Sequence, residues 1–309
     1  MDPKDQFSQE LQRSELPTLW KIPDPMWEQI EPILPPEKEP KTPGRPPVPF
    51  RTVLNGILFV LRTGCHWNVV PSAFGSGSTC HRRFQEWVQA GHLDRIIERM
   101  LCLYDQIREI DWHWQSADTK LLPAPLGGKK TGPNPTDLGK QGTKRHLLID
   151  GEGVPLSIHL TKANRHDLKG LSSLLEEKHL IERPNPEESP EKRPQHLCLD
   201  KAYDAEETDE LLDELGYVGH VKRKNQEEDG SEKDAGGTSD KTASEEDPSE
   251  NAGVGEPVYP ARRWKVERSI SWFNNMRKLR TRWAKKAANY RGLWMLAIGL
   301  IIYRRIILG

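Results

Sequence analysis

The sequence predicts an α/β fold in which a helical front half precedes a mixed sheet. Two observations predict it: the apolar period changes near residue 110, and a hairpin signal is then followed by strands alternating with helices. Asp24-Pro25 open a short helix with Trp27, Ile30 and Ile33-Leu34 as its stripe, and Pro35-Pro36 end it. Phe50, Val53, Leu54, Ile57, Leu58 and Leu61 then fall on one helical face, and Gly64 stops that helix. After a turn-rich stretch from Asn68 to Gly77, a second helix from near Ser78 sets Cys80, Phe84, Trp87 and Val88 inward. A third, from His92, does the same with Leu93, Ile96, Ile97, Met100, Leu101 and Tyr104. The outer face of the second carries His81, Arg82 and Arg83, a helix-turn-helix-like pattern suited to DNA. A plain three-helix bundle with a basic edge has the same pattern.

Strands are predicted over His113–Lys120, Lys144–Asp150, Val154–Thr161, His196–Asp200 and Tyr217–Lys222. Asp150-Gly151-Glu152-Gly153 marks the hairpin between the second and third. Helices are predicted over Leu168–Lys178 and Ala205–Leu215, then again from Arg262 and from Asn289. Residues 1–16 are polar and aperiodic, a flexible tail; 17–110 form the helical, DNA-binding domain; 111–309 form the α/β domain. Residues 225–260 are acidic and rich in Gly and Ser, a disordered insert.

Charge is unevenly spread. The chain has 309 residues with a formal net charge of −1 and a mean hydropathy of −0.74. Gln226 to Glu256 holds 11 acidic residues against two lysines, whereas Ala261 onward holds 13 basic residues and one acid, Glu267. Such a basic block, interleaved with Trp, Phe273 and Leu, points to a folded region facing a polyanion. Four cysteines without a C-x-x-C pair argue against a disulfide-stapled secreted scaffold. The start lacks a signal-peptide core, and the apolar run Leu293–Tyr303 is too short to span a bilayer. A cytoplasmic, DNA-associated protein with no membrane contact is expected. Cys102, Cys198 and most of the ten tryptophans are expected in the core, while the spacing of Cys65-His66 and Cys80-His81 matches no usual zinc set.

Three acids stand in informative places. Asp118 and Asp200 interrupt or end predicted strands, and Glu267 lies on a helix among Arg262, Arg263, Lys265 and Arg268. Converging carboxylates repel unless a cation sits between them, and hard oxygens suit Mg²⁺ or Mn²⁺. Two such ions activate an attacking oxygen and stabilise the leaving oxygen of a phosphodiester. Spacing alone does not settle the point, because most strand-end aspartates only cap loops.

Ordered motifs add to this. They are Gly44-Arg45-Pro46-Pro47, Val53 through Trp67, Lys130 through Asp137, Gly142-Thr143-Lys144-Arg145, Asp150 through Pro155, Ala163-Asn164-Arg165-His166-Asp167, Asp200-Lys201-Ala202-Tyr203-Asp204 and Arg263-Trp264-Lys265-Val266-Glu267-Arg268-Ser269. Together, across residues 17–309 apart from the insert, they resemble bacterial insertion-sequence transposases of the IS-four/IS-five type with a DDE triad. The resemblance implies a ribonuclease-H-like catalytic domain, with Asp118, Asp200 and Glu267 as catalytic metal ligands for two Mg²⁺ ions (Mn²⁺ substituting). It also implies cleavage and strand transfer at DNA ends, with terminal inverted repeats and target DNA as partners and a homodimer assembled on DNA. Water attacks the phosphodiester at the element end, and the freed 3′-hydroxyl then attacks target DNA.

Candidate DNA contacts are His81, Arg82, Arg83, Lys130, Lys144, Arg145, Arg165, His166, Lys201, Arg263, Arg268, Arg277 and Lys278. For His166 the alternative is a surface histidine beside a helix-capping Asp167. The family's Tyr-x₂-Arg-x₃-Glu-x₆-Lys signature is incomplete: Arg263 and Glu267 match, Pro260 holds the Tyr position and Asn274 the final Lys. Two other functions fit the same residues, an inert DNA-binding descendant and a metal-dependent nuclease.

Overall fold

The computed structural model describes residues 21–37, 46–176, 194–221 and 260–308. The expected tail at 1–16 and the acidic insert through residue 259 lie outside these residues. Four helices form first: α1 (Asp24–Ile30), α2 (Phe50–Thr63), α3 (Gly77–Gln89) and α4 (His92–Arg108). The α2 stripe is buried as its spacing predicts. α2 stops because Gly64 takes φ +74°, a left-handed conformation with little cost only for glycine, and donates its N–H to the Val60 carbonyl. α3 starts at the Ser76 cap, whose Oγ accepts the Thr79 N–H at 3.1 Å. Residues 64–76 between them hold two single-turn 3₁₀ helices, Trp67–Val69 and Ser72–Phe74. That connection is longer than the three or four residues of a tight helix-turn-helix. In α1 the buried positions are Met26 and Ile30, while Trp27 packs at the core's edge.

The α/β part comprises β1 (Trp114–Pro123), β2 (Gly132–Pro133), β3 (Gln141–Asp150), β4 (Pro155–Lys162), α5 (Asp167–Glu176), β5 (Gln195–Leu199), α6 (Glu206–Glu214), β6 (Tyr217–Val221), α7 (Pro260–Asn274), α8 (Arg277–Arg280) and α9 (Ala287–Leu308). β1 and β3 run past their predicted bounds because Leu121 and Leu122 pair with Lys144 and Thr143. β3 pairs antiparallel with β1 and β4, and β1 pairs parallel with β5, as β5 does with β6. The order β4-β3-β1-β5-β6 is an antiparallel meander whose first strand is central, extended by two parallel strands. This is the ribonuclease-H-like arrangement. α5 and α6 pack on one face of the sheet and α7 and α9 on the other, against β1 and β4 respectively.

α9 is buried on nearly all sides from Leu293 to Tyr303, packed on α4 and on β4. That fits a helix apolar all round its axis. Among the described residues no helix is long and apolar enough to cross a membrane. One continuous core joins α1–α4 to the sheet through α9, so the helix-to-strand change near residue 110 is a change of secondary structure without a break in packing. Two core assignments need correction. Cys102 and Cys198 are half-buried. Of the tryptophans whose burial is described, only Trp87 and Trp294 are fully inside, and Trp283 is 51% exposed. Tryptophan is large and amphipathic, so it often seals the rim of a core rather than its centre.

The β3–β4 turn is built on Asp150, whose buried Oδ1 accepts the N–H groups of Glu152 (2.9 Å) and Val154 (2.7 Å). Burial pushes its pKa up to about 7 against those two bonds, with Asp111 and Glu152 adding to the rise. The folded state therefore holds a proton that the unfolded chain has lost above about 3.8. This group's stabilisation is full below pH 4 and is lost as pH rises to about 7. Asp150→Asn keeps the acceptor oxygen, so the difference between the variant and wild-type stability–pH curves, measured by denaturant melts, should rise from pH 4 to 7 and then flatten. Parallel curves would contradict the assignment.

Candidate active site and nucleic-acid interface

In the parallel β1–β5 pair, Trp114 lies opposite His196 and Ser116 opposite Cys198. Extending this register by two residues puts Asp118 opposite Asp200. Side chains alternate along a strand, so both carboxylates belong to the face of Ser116 and Cys198. Neighbouring strands lie ~4.8 Å apart, so this register carried past its last rung brings the two positions alongside each other. Asp200 has extended backbone and then caps a 3₁₀ turn, Lys201–Tyr203, its Oδ1 accepting the Lys201 N–H at 2.7 Å.

Asp118 Oδ2 accepts a 2.9 Å bond from Nη2 of Arg145 on β3. Arg145 is 1% exposed and its guanidinium lies 5.3 Å from the Trp294 ring. Burial lowers its pKa and the adjacent Asp118 opposes that fall; a guanidinium stays charged in either case. Glu267 is exposed on α7, the helix that packs on β1. α7 is tied to the β3–β4 turn: Lys265 Nζ meets Glu152 Oε1 at 3.1 Å, Arg268 Nη2 donates to the Glu152 carbonyl, and Ser269 Oγ donates to the Gly153 carbonyl at 2.6 Å.

The two aspartates match a hard divalent cation in donor chemistry and side-by-side position. Glu267 is a third donor of the same kind, carried over the same strand. Among the described residues no set of three His, Cys, Asp or Glu is gathered closely enough to hold a metal. The fit therefore rests on the aspartate pair, with Glu267 within the same region but not drawn in.

The expected DNA contacts divide by burial. Arg82, Lys130, Arg165, His166, Lys201 and Arg277 are exposed, and His166 Nδ1 accepts the Leu168 N–H at the start of α5. The side chain of Arg263 lies outside the described residues. Three expectations are corrected. Arg145 is the buried partner of Asp118. Lys144 is buried, with Nζ 2.7 Å from Asp167 Oδ1 and from the Arg165 carbonyl. Lys278 is buried, its Nζ donating to the Cys65 carbonyl at 2.8 Å. Each occupies its charge inside the fold, tying strand to strand, strand to helix, or α8 to the end of α2. Arg83 is also engaged, paired with Glu86 at 2.8 Å and lying over the Phe50 ring, as is Arg268 at the Glu152 carbonyl.

His81 stacks on Trp67, ring centroids 4.7 Å apart. Burial holds its pKa below the usual histidine value, with His66, Lys286 and Lys278 adding to the shift. Both rings line a cleft of about 550 Å³ between α3 and the α8–α9 connection, closed by Trp283, Lys286 and Asn289. Residue-by-residue reading missed Trp283, Lys286 and Asn289, although the two lysines at 285 and 286 belong to the basic block that pointed here. Only packing α9 against α3 brings them beside His81.

A central strand bearing one aspartate, a parallel neighbour followed by another, and a helix over that strand carrying a glutamate set three acids about a ribonuclease-H-like sheet. A profile described as "Transposase DDE domain" matches residues 106–302, and one described as "Putative transposase of IS4/5 family" matches residues 22–97. The first covers more than half of the chain, and the chain belongs to the DDE transposase-domain family. It is 42% identical over 118 residues to the insertion element IS402 uncharacterized 16.2 kDa protein of Burkholderia cepacia, covering 37% of this chain and 80% of that one. It is 32% identical over 161 residues to the "Putative transposase for insertion sequence element IS402" of the same organism, covering 52% of this chain and 63% of the relative's length. The crystal structure of the Mos1 mariner paired end complex with Mn aligns over 60% of this chain and 61% of that one. Its identity is 12% and its TM-score 0.23, too loose to carry an argument.

The burial split is testable. Lys278→Met removes the donor to the Cys65 carbonyl and should cost about 1–3 kcal/mol of stability, while leaving the salt dependence of DNA binding unchanged. Arg277→Ala should do the reverse, with little thermal effect and a shallower salt slope. Thermal melts and salt titrations of DNA binding read both.

Proposed function

We propose that the chain cleaves DNA at the ends of an insertion element and joins the freed 3′-hydroxyl ends to target DNA, in a divalent-metal-dependent reaction. The supporting observation is the β1–β5 register, which, carried two residues past its last rung at Ser116 and Cys198, brings Asp118 and Asp200 to one face of the sheet. Asp118, Asp200 and Glu267 are the proposed ligands; a divalent cation between them would offset the repulsion among the carboxylates. Two divalent ions, Mg²⁺ or Mn²⁺, would supply charge stabilisation for the attacking and leaving oxygens when bound there.

The protein's own residues have three tasks in this reading. Arg145 fixes Asp118 through one oxygen, so its carboxylate direction is set before DNA arrives. Lys265, Arg268 and Ser269 hold the helix bearing Glu267 to the hairpin turn. Exposed Arg82, Lys130, Arg165, Lys201 and Arg277 offer charge to phosphates, which governs affinity and its salt dependence. Terminal inverted repeats and target DNA are the proposed partners, with two copies of the chain assembling on paired ends. The Trp67–His81 cleft, with Lys286 on its rim, is the proposed seat for DNA outside the cleavage site.

The charged Arg145 is buried, so removing its partner outright leaves an uncompensated interior charge, a loss of about 3–5 kcal/mol. Asp118→Asn keeps an acceptor oxygen for Arg145 while deleting the ligand charge. With duplexes carrying the element's terminal repeats, Asp118→Asn and Asp200→Ala should abolish Mg²⁺-dependent cleavage and joining yet bind DNA within a few-fold of wild type. Asp118→Ala should in addition melt several degrees lower. Cleavage surviving in Asp118→Asn would contradict the ligand assignment. Specific binding without cleavage by wild type would favour an inert DNA-binding descendant, and cutting without joining a nuclease. Arg82→Ala should weaken binding and lower the salt slope by about one; an unchanged slope would remove α3 from the interface.

A further inference from the structure

The β1–β5 ladder stops short of the carboxylates it positions. Its last paired rung is Ser116 opposite Cys198, and both aspartates lie two residues further on. At Asp200 the chain leaves the strand for the Lys201–Tyr203 turn. No β1–β5 rung fixes how far Asp200 stands from Asp118, yet a shared cation needs that spacing held.

A side-chain contact on the opposite face spans the gap. Tyr203, the last residue of that turn, is 2% exposed, and its hydroxyl lies 2.5 Å from Oγ1 of Thr119, the residue next to Asp118. The same Oγ1 lies 3.0 Å from His146 Nδ1, and His146 Nε2 lies 2.9 Å from Thr161 Oγ1. This run of polar groups crosses from the turn after β5 through β1 and β3 to β4. Burial holds His146 at a pKa of about 3, so the ring is neutral, with one donor and one acceptor nitrogen. One consistent set of directions has Tyr203 donating to Thr119, Thr119 to His146 and His146 to Thr161. Gly170 of α5 leaves room for the ring, since a Cβ there would come within 2.1 Å of His146 Cε1.

We infer that Tyr203 is a positioning residue: through Thr119, and through His146 behind it, its hydroxyl sets the spacing of Asp118 and Asp200 where the backbone ladder has ended. The inference rests on the reading of Asp118 and Asp200 as ligands of a divalent cation. Tyr203 touches neither cation nor DNA in this account; it acts beneath the sheet while the carboxylates act above it. Residues behind a metal's ligands typically control its affinity by 10–100-fold, and that range sets the expected size of the effect.

The test is Mn²⁺ binding to the full chain, followed by the electron paramagnetic resonance signal of free Mn²⁺, with DNA affinity and melting temperature measured on the same samples. Tyr203→Phe removes only the hydroxyl. It should raise the Mn²⁺ dissociation constant about 10–100-fold and shift the Mn²⁺ dependence of cleavage to higher concentration, with DNA affinity unchanged within two-fold. Thr119→Val should reproduce the shift and Thr119→Ser should restore wild-type Mn²⁺ affinity; this pair also decides the matter if Tyr203→Phe does not fold. Lower melting temperatures in Tyr203→Phe and Thr119→Val with unchanged Mn²⁺ affinity would overturn the inference, leaving Tyr203 a packing residue. If Asp200→Asn weakens Mn²⁺ binding in that same experiment, the ligand reading stands and the positioning role alone falls. Wild-type chain that binds Mn²⁺ no better than Asp200→Asn would overturn both.

Discussion

The pairing of β1 on both sides is the constraint on which the site depends. On one edge β1 runs antiparallel to β3, which brings Arg145 to Asp118. On the other it runs parallel to β5, which brings Asp200 into the same row. A one-residue slip in either ladder would turn Asp118 or Asp200 to the opposite face. The apolar faces resist such a slip, because Leu147, Ile149, Leu197 and Leu199 are buried in the present register. Fully burying such a side chain stabilises the fold by roughly 1.5–3 kcal/mol. The same packing that stabilises the sheet therefore decides which face the carboxylates take.

Charge is handled differently in the interior and at the surface. Arg145, Lys144 and Lys278 are buried with partners on other elements; for Arg145–Asp118 and Lys144–Asp167 removing either member leaves an uncompensated charge, whereas Lys278 is held by the neutral Cys65 carbonyl. The remaining exposed cations are the ones available to a polyanion. Three of the cations expected to meet DNA thus belong to the framework. Glu152 shows the same economy on the acidic side. It is met by Lys265 and Arg305, and the Arg268 guanidinium meets its carbonyl, so the turn, α7 and α9 share one anchor.

Much of this was legible in the sequence because the signals were local and periodic. The α2 stripe and its Gly64 stop, the α4 stripe, the hairpin at Asp150-Gly151-Glu152-Gly153 and Asp200 just past the end of β5 all depend on neighbours a few residues away, whereas Asp118 lies in the middle of β1 and not at its end. What could not be read depends on pairing across long separations. Nothing in Gly142-Thr143-Lys144-Arg145 distinguishes a lysine bonded to Asp167 from one facing DNA; the alternation of β3 and the covers on its two faces decide it. Lys278 follows the same logic, because its carbonyl partner Cys65 lies in another part of the chain. The relay from Tyr203 to Thr161 joins residues on four elements and leaves no periodic trace.

Asp118 and Asp200 together are the proposed cation site. Iron-directed backbone cleavage tests it most directly: Fe²⁺ is bound in place of Mg²⁺, and hydroxyl radicals generated with ascorbate and peroxide cut the polypeptide near the ion. Two cuts are expected, near residues 118 and 200, both competed by Mg²⁺ and both lost in Asp118→Asn. Cuts at one position only, or two cuts that persist in Asp118→Asn, would contradict it.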